Sequence, residues 1–179
     1  MPNGESSISA GESPMSTEES WRPGRRRWLS AVGGSVVGAA LAGCLGTGGP
    51  AYESGSIPAV NGSTRTARQQ AAAATGAITS TADGVSPLES LSLTDHSFVY
   101  EGGYQGATVQ GTARNGGDRP VQLVEVRTRV YDDAGAQLGQ YMARTGDLAG
   151  DTSWSFTVIV LERPSTLARY DITVLGVPG

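Results

Sequence analysis

Val124, Glu125, Val126, Arg127, Thr128, Arg129, Val130 and Tyr131 alternate between small or β-branched residues and charged or aromatic ones. Successive side chains of an extended chain point to opposite faces, so Val124, Val126, Thr128 and Val130 share one face and Glu125, Arg127, Arg129 and Tyr131 the other. This is the pattern of a strand with one buried side. The same period recurs where Trp154, Phe156, Val158 and Val160 oppose Ser153, Ser155 and Thr157. It appears again where Leu167 leads into Tyr170, Ile172 and Val174, opposite Arg169, Asp171 and Thr173.

Turn-forming residues separate these runs: Asn115 to Asp118, Asp132 to Gly135, Gly146 to Asp151 and Arg163 to Ser165. No segment after Ser92 carries a 3.6-residue apolar period. The spacing predicts strands over 97–101, 106–114, 121–131, 136–143, 152–160 and 167–175. Short strands joined by hairpin-like turns imply an all-β fold, a small antiparallel immunoglobulin-like β-sandwich over residues 92–179. Its expected core centres on Trp154, Phe156, Val126, Val130 and Ile172, with no disulfide to brace it because the chain has one cysteine.

Val109 to Gly111, Asn115, Gly117, Asp118, Pro120, Val124, Val126, Val130, Tyr131, Asp132, Gly135, Leu138, Gly146, Leu148, Trp154 and Phe156 together resemble the FxLYD domain, a small β module frequent in exported prokaryotic lipoproteins. The naming motif falls on Val130, Tyr131 and Asp132, with Val130 in place of Leu and Thr128 in the Phe position. The resemblance spans roughly residues 108–174. It implies a fold and an extracytoplasmic setting, and it implies no activity.

The N-terminal region points the same way. Arg25, Arg26, Trp28 and Leu29 are similar to a twin-arginine export motif, and residues 31–43 are free of charge. Leu41, Ala42, Gly43 and Cys44 resemble a lipobox. The resemblance implies removal of a signal peptide, residues 1–43, and a lipid on the Cys44 thiol that anchors the mature chain to the membrane. Export and lipoprotein-processing machinery would then be partners. The alternative is a retained membrane-spanning helix, but that needs about 20 apolar residues and this run is interrupted by Gly33, Gly34 and Gly38. A lone cysteine can also be a small core residue.

Residues 44–91 are rich in Gly, Ser, Thr and Ala, with few large apolar side chains to offset the entropy of ordering. They read as a disordered tether. A flexible chain of that length spreads over about 35 to 40 Å, enough to lift a domain clear of the headgroups. Thr66 to Thr75 reads as a transient helix, too short to persist alone. Asn61, Gly62 and Ser63 form a sequon, a candidate glycosylation site at Asn61.

All 13 basic residues are arginine, against 17 acidic ones. Four of each lie before Cys44, leaving nine against 13 and a mature net charge of about −4. No basic cluster follows a phosphate backbone, so nucleic acid is excluded as a partner. Acidic, lysine-free chains with twin-arginine lipoprotein signals resemble those of extremely halophilic archaea. The alternative source is a GC-rich bacterium.

Catalytic and metal chemistry find few candidates. His96 is the single histidine, with Asp95 beside it and no nucleophile motif nearby, so it reads as an exposed loop or edge residue. Blue-copper and zinc sites need more His and Cys than the chain has. Asp132 and Asp133 raise a calcium reading, set against a simpler hairpin turn. Paired carboxylates for glycoside hydrolysis are available in residue type, but nothing in the sequence places two in one pocket. Phe98 and Tyr100 share a strand face near Tyr104, either packed at the core edge or exposed as a sticky patch. No catalytic residues, cofactor or metal are expected. The expected function is a lipid-tethered module that binds an envelope protein. The alternatives are an accessory solute- or glycan-binding lipoprotein, disfavoured because a small sandwich leaves little room for a pocket of about 300 Å³, and an unrecognised hydrolase.

Overall fold

A computed structural model describes residues 49–60 and 62–179. The signal-like segment, Cys44 and Asn61 lie outside the described residues. In chain order the elements are β1 (Glu53–Ser56), α1 (Ala67–Gly76), β2 (Leu91–Tyr100), β3 (Ala107–Asn115), β4 (Val121–Tyr131), β5 (Gln137–Leu148), β6 (Ser153–Ile159) and β7 (Arg169–Pro178). The strands form two antiparallel sheets, β1-β7-β4-β5 and β2-β3-β6. The protein is an all-β sandwich.

The alternation read from the sequence sorts the faces. Val124, Val126, Thr128 and Val130 are buried inside, and Phe156, Val158 and Val160 meet them from the other sheet while Ser153, Ser155 and Thr157 face out. Tyr170 and Ile172 complete this core. Trp154 is only half-buried and packs where the main core meets a smaller cluster of Leu91, Val121, Val124 and Leu148. Its neighbour across the strand is Ala113, and Phe156 faces Gly111. A Cβ on Gly111 would lie 2.8 Å from the Phe156 ring and 2.3 Å from the Asp95 carbonyl, which the β2 bulge brings close. Small residues on β3 thus make room for large ones on β6.

Several expected boundaries shift. β2 begins at Leu91, six residues before its expected start, and β5 runs on to Leu148, into the turn residues from Gly146. Ladder pairing with long neighbours extends both strands past the point where their own patterning ends.

The tether reading is corrected from residue 49 onward. β1 pairs with the β7 edge, Glu53 opposite Ile172 through Ser56 opposite Arg169, and Ile57 is buried. Gly55 sits opposite Tyr170, whose ring lies where a Cβ would be, 2.1 Å away. α1 is a fixed element. Thr66 Oγ1 accepts the Gln69 N–H and Gln69 Oε1 accepts the Thr66 N–H, a capping box that satisfies exposed first-turn donors. Ala73 is fully buried, and the Gln70 side chain donates to the Leu161 carbonyl. Tertiary contact supplies what a ten-residue helix lacks alone.

After α1 the chain crosses the outer face of the four-stranded sheet. Ile78 pairs with Met142 on the β5 edge, and Ser86 pairs with Gly176 on the β7 edge. Residues 78–86 therefore strap β5, β4 and β7 together. Composition suggested disorder because it counts apolar side chains, and this segment is held chiefly by backbone and polar hydrogen bonds.

Candidate functional site

The family-motif residues serve three separate jobs. Val130 is core. Tyr131 lies on the outer face, with the Arg169 guanidinium 3.8 Å above its ring centre. Asp132 closes the β4–β5 turn: its carboxylate accepts the Ala136 N–H at 2.7 Å and its carbonyl accepts the Gly135 N–H. Gly135 has φ +84°, a left-handed value that glycine adopts without strain. These contacts fit the turn reading of Asp132 and Asp133.

His96 departs from expectation. It stands on β2, an edge strand, but it is not an exposed loop residue, since its side chain is only 14% exposed. Nδ1 is hydrogen-bonded to the Tyr170 hydroxyl at 2.8 Å and Nε2 faces the Glu53 carboxylate at 3.3 Å. The two rings meet edge to face. His96 therefore ties the edge of one sheet to β7 and β1 of the other, with both ring nitrogens engaged. Among the described residues, no serine or threonine nucleophile is hydrogen-bonded to it. Asp95 is exposed, and its carbonyl approaches Gly111.

The strongest electrostatic grouping is one the sequence reading missed. Glu125 faces outward by strand parity, yet its side chain is fully buried. Arg127 donates to Oε1 through Nε and Nη2, at 3.0 and 2.6 Å. Arg144 donates to Oε2 from the other side at 2.8 Å, and the Ala82 backbone N–H donates to the same oxygen at 2.8 Å. Arg144 also donates to the Ser80 carbonyl. Burial alone would raise the Glu125 pKa, but the Ala82 amide and the two guanidinium groups more than offset it and hold it below the ordinary range. This hub fastens the strap. Glu125 and Arg144 are cross-strand partners on β4 and β5, a pairing visible once the register is known.

Beside the hub the outer face carries more paired charge. Arg129 donates to Gln140 and stacks over Tyr52, 4.1 Å from the ring centre. Asp171 accepts from Ser54 and Arg169, and its pKa falls because these and Tyr131 outweigh the effect of burial.

Open clefts lie at both ends of the sandwich: one of about 400 Å³ at the β3–β4 turn, between Leu88, Arg119 and Pro178, and two more at the end formed by the β2–β3, β4–β5 and β6–β7 connections. Arg65 donates to the carbonyls of Tyr104, Gln105 and Val160 and so bridges two of these connections. Burial lowers its pKa, while Tyr100 and Tyr141 raise it. One open cleft of about 340 Å³ is lined by Gly62, Ser63, Arg65, Gln69, Tyr100 and Gly102, among others. A second, of about 410 Å³, lies between Asp132, Asp133 and the Ser165–Ala168 segment. The expectation that a small sandwich leaves little room for a pocket of about 300 Å³ is corrected: residues before β2 wall the cleft beside Arg65, and the sandwich's own loops form the one at Asp132. The Tyr100 hydroxyl donates to the Ser63 carbonyl at 2.7 Å and its ring lies against Gly62. Phe98 packs on the core, so the two aromatics do not form an exposed patch, whereas Tyr104 is 47% exposed. A guanidinium, an amide side chain and a tyrosine suit neutral or acidic polar groups. The one sequence signal for this corner was the Thr66-to-Gln69 capping-box spacing.

Among the described residues, no three His, Cys, Asp or Glu side chains gather as metal ligands, and no helix is long and apolar enough to cross a membrane. The fold and these clefts define a small β-sandwich with a strapped outer face. The chain is similar to an uncharacterized protein of Methanocaldococcus jannaschii, 26% identical over 137 residues that cover 75% of this chain and 82% of the relative. No family model matches the chain, and no solved structure matches it.

Proposed function

We propose that the protein is an exported lipoprotein, anchored through Cys44 to the outer face of the cell membrane, whose sandwich binds or helps assemble another envelope protein and carries no catalysis. The observation that carries this reading is the order Arg25, Arg26, uncharged run, Leu41, Ala42, Gly43, Cys44, followed within nine residues by the first strand of a folded domain. The FxLYD resemblance favours the same setting. The binding role is supported by the way the ionisable side chains are engaged. His96, Glu125 and Asp171 each hold strands or the strap together, and the exposed Tyr104 with the clefts at that end offers a surface a partner could meet.

A second reading, an accessory solute- or glycan-binding lipoprotein, is favoured by the cleft beside Arg65 and Tyr100, whose volume lies within the range of small-ligand sites.

Cys44→Ser tests the anchor. It is expected to move the domain from the membrane fraction to the medium, or to leave uncleaved precursor, because the lipid is the physical attachment. Normal processing with unchanged detergent partitioning of the variant would overturn the anchor. Arg25→Lys with Arg26→Lys is expected to hold precursor inside the cell in pulse-chase, since ammonium groups replace paired guanidinium groups poorly.

A further inference from the structure

We infer that Asn115 is a site of spontaneous deamidation that the native fold holds closed, so that opening of one end of the sandwich turns into an irreversible chemical change. Asn3, Asn61 and Asn115 each precede a glycine. An Asn-Gly pair is the reactive arrangement. Glycine has no side chain to obstruct attack by its own backbone nitrogen, and it lets the chain reach the bent geometry that the attack requires.

The chemistry needs only water. The Gly116 nitrogen gives up its proton to hydroxide and attacks the Asn115 carboxamide carbon. A carbon–nitrogen bond forms in a succinimide ring, and the side-chain carbon–nitrogen bond breaks with ammonia as the leaving group. Water then opens the ring at either carbonyl. The product is aspartate at position 115, or its isomer in which the main chain runs through the side-chain carbon. No atom is oxidised or reduced.

In the fold both reacting groups are engaged. Asn115 ends β3, opposite Leu91, and is fully buried. Its Nδ2 donates to the carbonyls of Arg119, Leu148 and Ala149 at 2.8, 3.1 and 3.2 Å, and Oδ1 accepts the Gly117 N–H at 3.1 Å. The Gly116 N–H, which must be lost for attack, donates to the Ser90 carbonyl at 2.8 Å. The flanking turns close the site. The Asn115 N–H donates to the Thr152 carbonyl and the Asp151 N–H to the Gly117 carbonyl, and a Cβ on Gly150 would lie 2.6 Å from the Asp118 carbonyl. Turning the carboxamide carbon toward the Gly116 nitrogen breaks several of these bonds at once. Reaction therefore waits for the β3–β4 and β5–β6 turns to separate.

The product does not fit the place it came from. A carboxylate only accepts hydrogen bonds, and at position 115 it would face the three carbonyl oxygens that the amide now satisfies. The isomer adds a carbon to the backbone and disturbs the pairing with Leu91. Opening followed by reaction thus removes a chain from the native population permanently, and the lifetime of the protein is set by how often this end opens.

The test follows the full, unglycosylated chain at mildly alkaline pH, in buffer and in urea. Peptide mapping by mass spectrometry reads the replacement of NH₂ by OH at 115, and Asn61 supplies the reactivity of the same dipeptide in the unfolded chain. In urea the two sites should react at similar rates. In buffer Asn115 should react at least about a hundredfold more slowly than in urea, because the rate scales with the population of the opened state. Gly150→Ala, which forces the two turns apart, should speed the reaction at 115 in buffer by about tenfold. Chains deamidated at 115 in urea and separated by charge should not regain the denaturation midpoint of unmodified chains on dilution. Equal rates at 115 in buffer and in urea would overturn the protection, and a folded Gly150→Ala chain reacting at the wild-type rate would show that these turns are not the gate. Reaction in urea at Asn61 but not at Asn115 would overturn the site itself, and full refolding of the deamidated chain would overturn its irreversibility.

Discussion

The Ala82 backbone N–H donates to the Glu125 carboxylate at 2.8 Å. One partner belongs to a segment whose composition reads as an unfolded tether, and the other to the strand whose alternation reveals the fold. Their contact, with Arg127 and Arg144 closing the other sides, converts 78–86 into a strap and turns an outward-facing glutamate into a buried one.

Glu125→Gln keeps the shape and removes the charge that faces two guanidinium groups. Breaking a buried pair costs about 3 to 5 kcal/mol, and because Arg127 and Arg144 retain some water we expect about 2 to 3. The native carboxyl titrates below its ordinary value. Its contribution is therefore complete above roughly pH 4.3 and is lost as pH falls through the native pKa. Denaturation midpoints of wild type and variant should differ at neutral pH and converge in acid. A gap that persists unchanged in acid would mean that charge is not what holds the strap.

Truncation probes the corrected domain boundary. A fragment over residues 49–179 should fold cooperatively, whereas one over 90–179, the span suggested by alternation alone, loses β1, α1 and the strap. It leaves the β7 edge unpaired beside Tyr170 and leaves Glu125 without the Ala82 donor. Circular dichroism and denaturation at matched salt should show the shorter fragment aggregating or markedly less stable. Coincident midpoints would restore the tether.

Thr128 faces the core, fully buried, and its hydroxyl has no hydrogen-bond partner among the described residues. Thr128→Val conserves shape and removes a desolvated polar atom, so stability should rise by about 1 kcal/mol. A loss of stability in equilibrium denaturation would show that the hydroxyl is satisfied in solution.

Tyr141 is buried and donates to Glu162 at 3.1 Å, and burial together with that carboxylate pushes its pKa up to about 12. The native state keeps the phenol protonated where the unfolded chain, near pKa 10, releases it. Stability from this site is complete below roughly pH 10 and falls as pH rises toward 12. Ultraviolet titration should show a late tyrosine phase that Tyr141→Phe diminishes. Ionisation of every tyrosine near pH 10 would contradict the burial.

The sandwich was readable because period-two alternation is a local property. Each of the runs at Val124–Val130, Trp154–Val160 and Tyr170–Val174 declares its buried face without reference to its partners. The turn at Asp132 to Gly135 was readable for the same reason. The candidate site was hardly readable at all. Arg65 binds carbonyls about 40 and 95 residues away, and its guanidinium carries no local sign of that. His96 reads as an exposed loop or edge residue until β7 and β1 bring Tyr170 and Glu53 to its two nitrogens.

The sequence by itself determined the all-β class, the inner and outer faces of the main strands and their turns, because these follow from side-chain parity and turn chemistry within a few residues. Tertiary structure alone decided that residues 49–60 and 62–91 belong to the fold. Gly55, Gly62 and Ala73 look like missing core when read along the chain. In three dimensions Tyr170 and Tyr100 lie across the two glycines and Ala73 is sealed against its surroundings, so small residues complement large or distant ones that no local window contains.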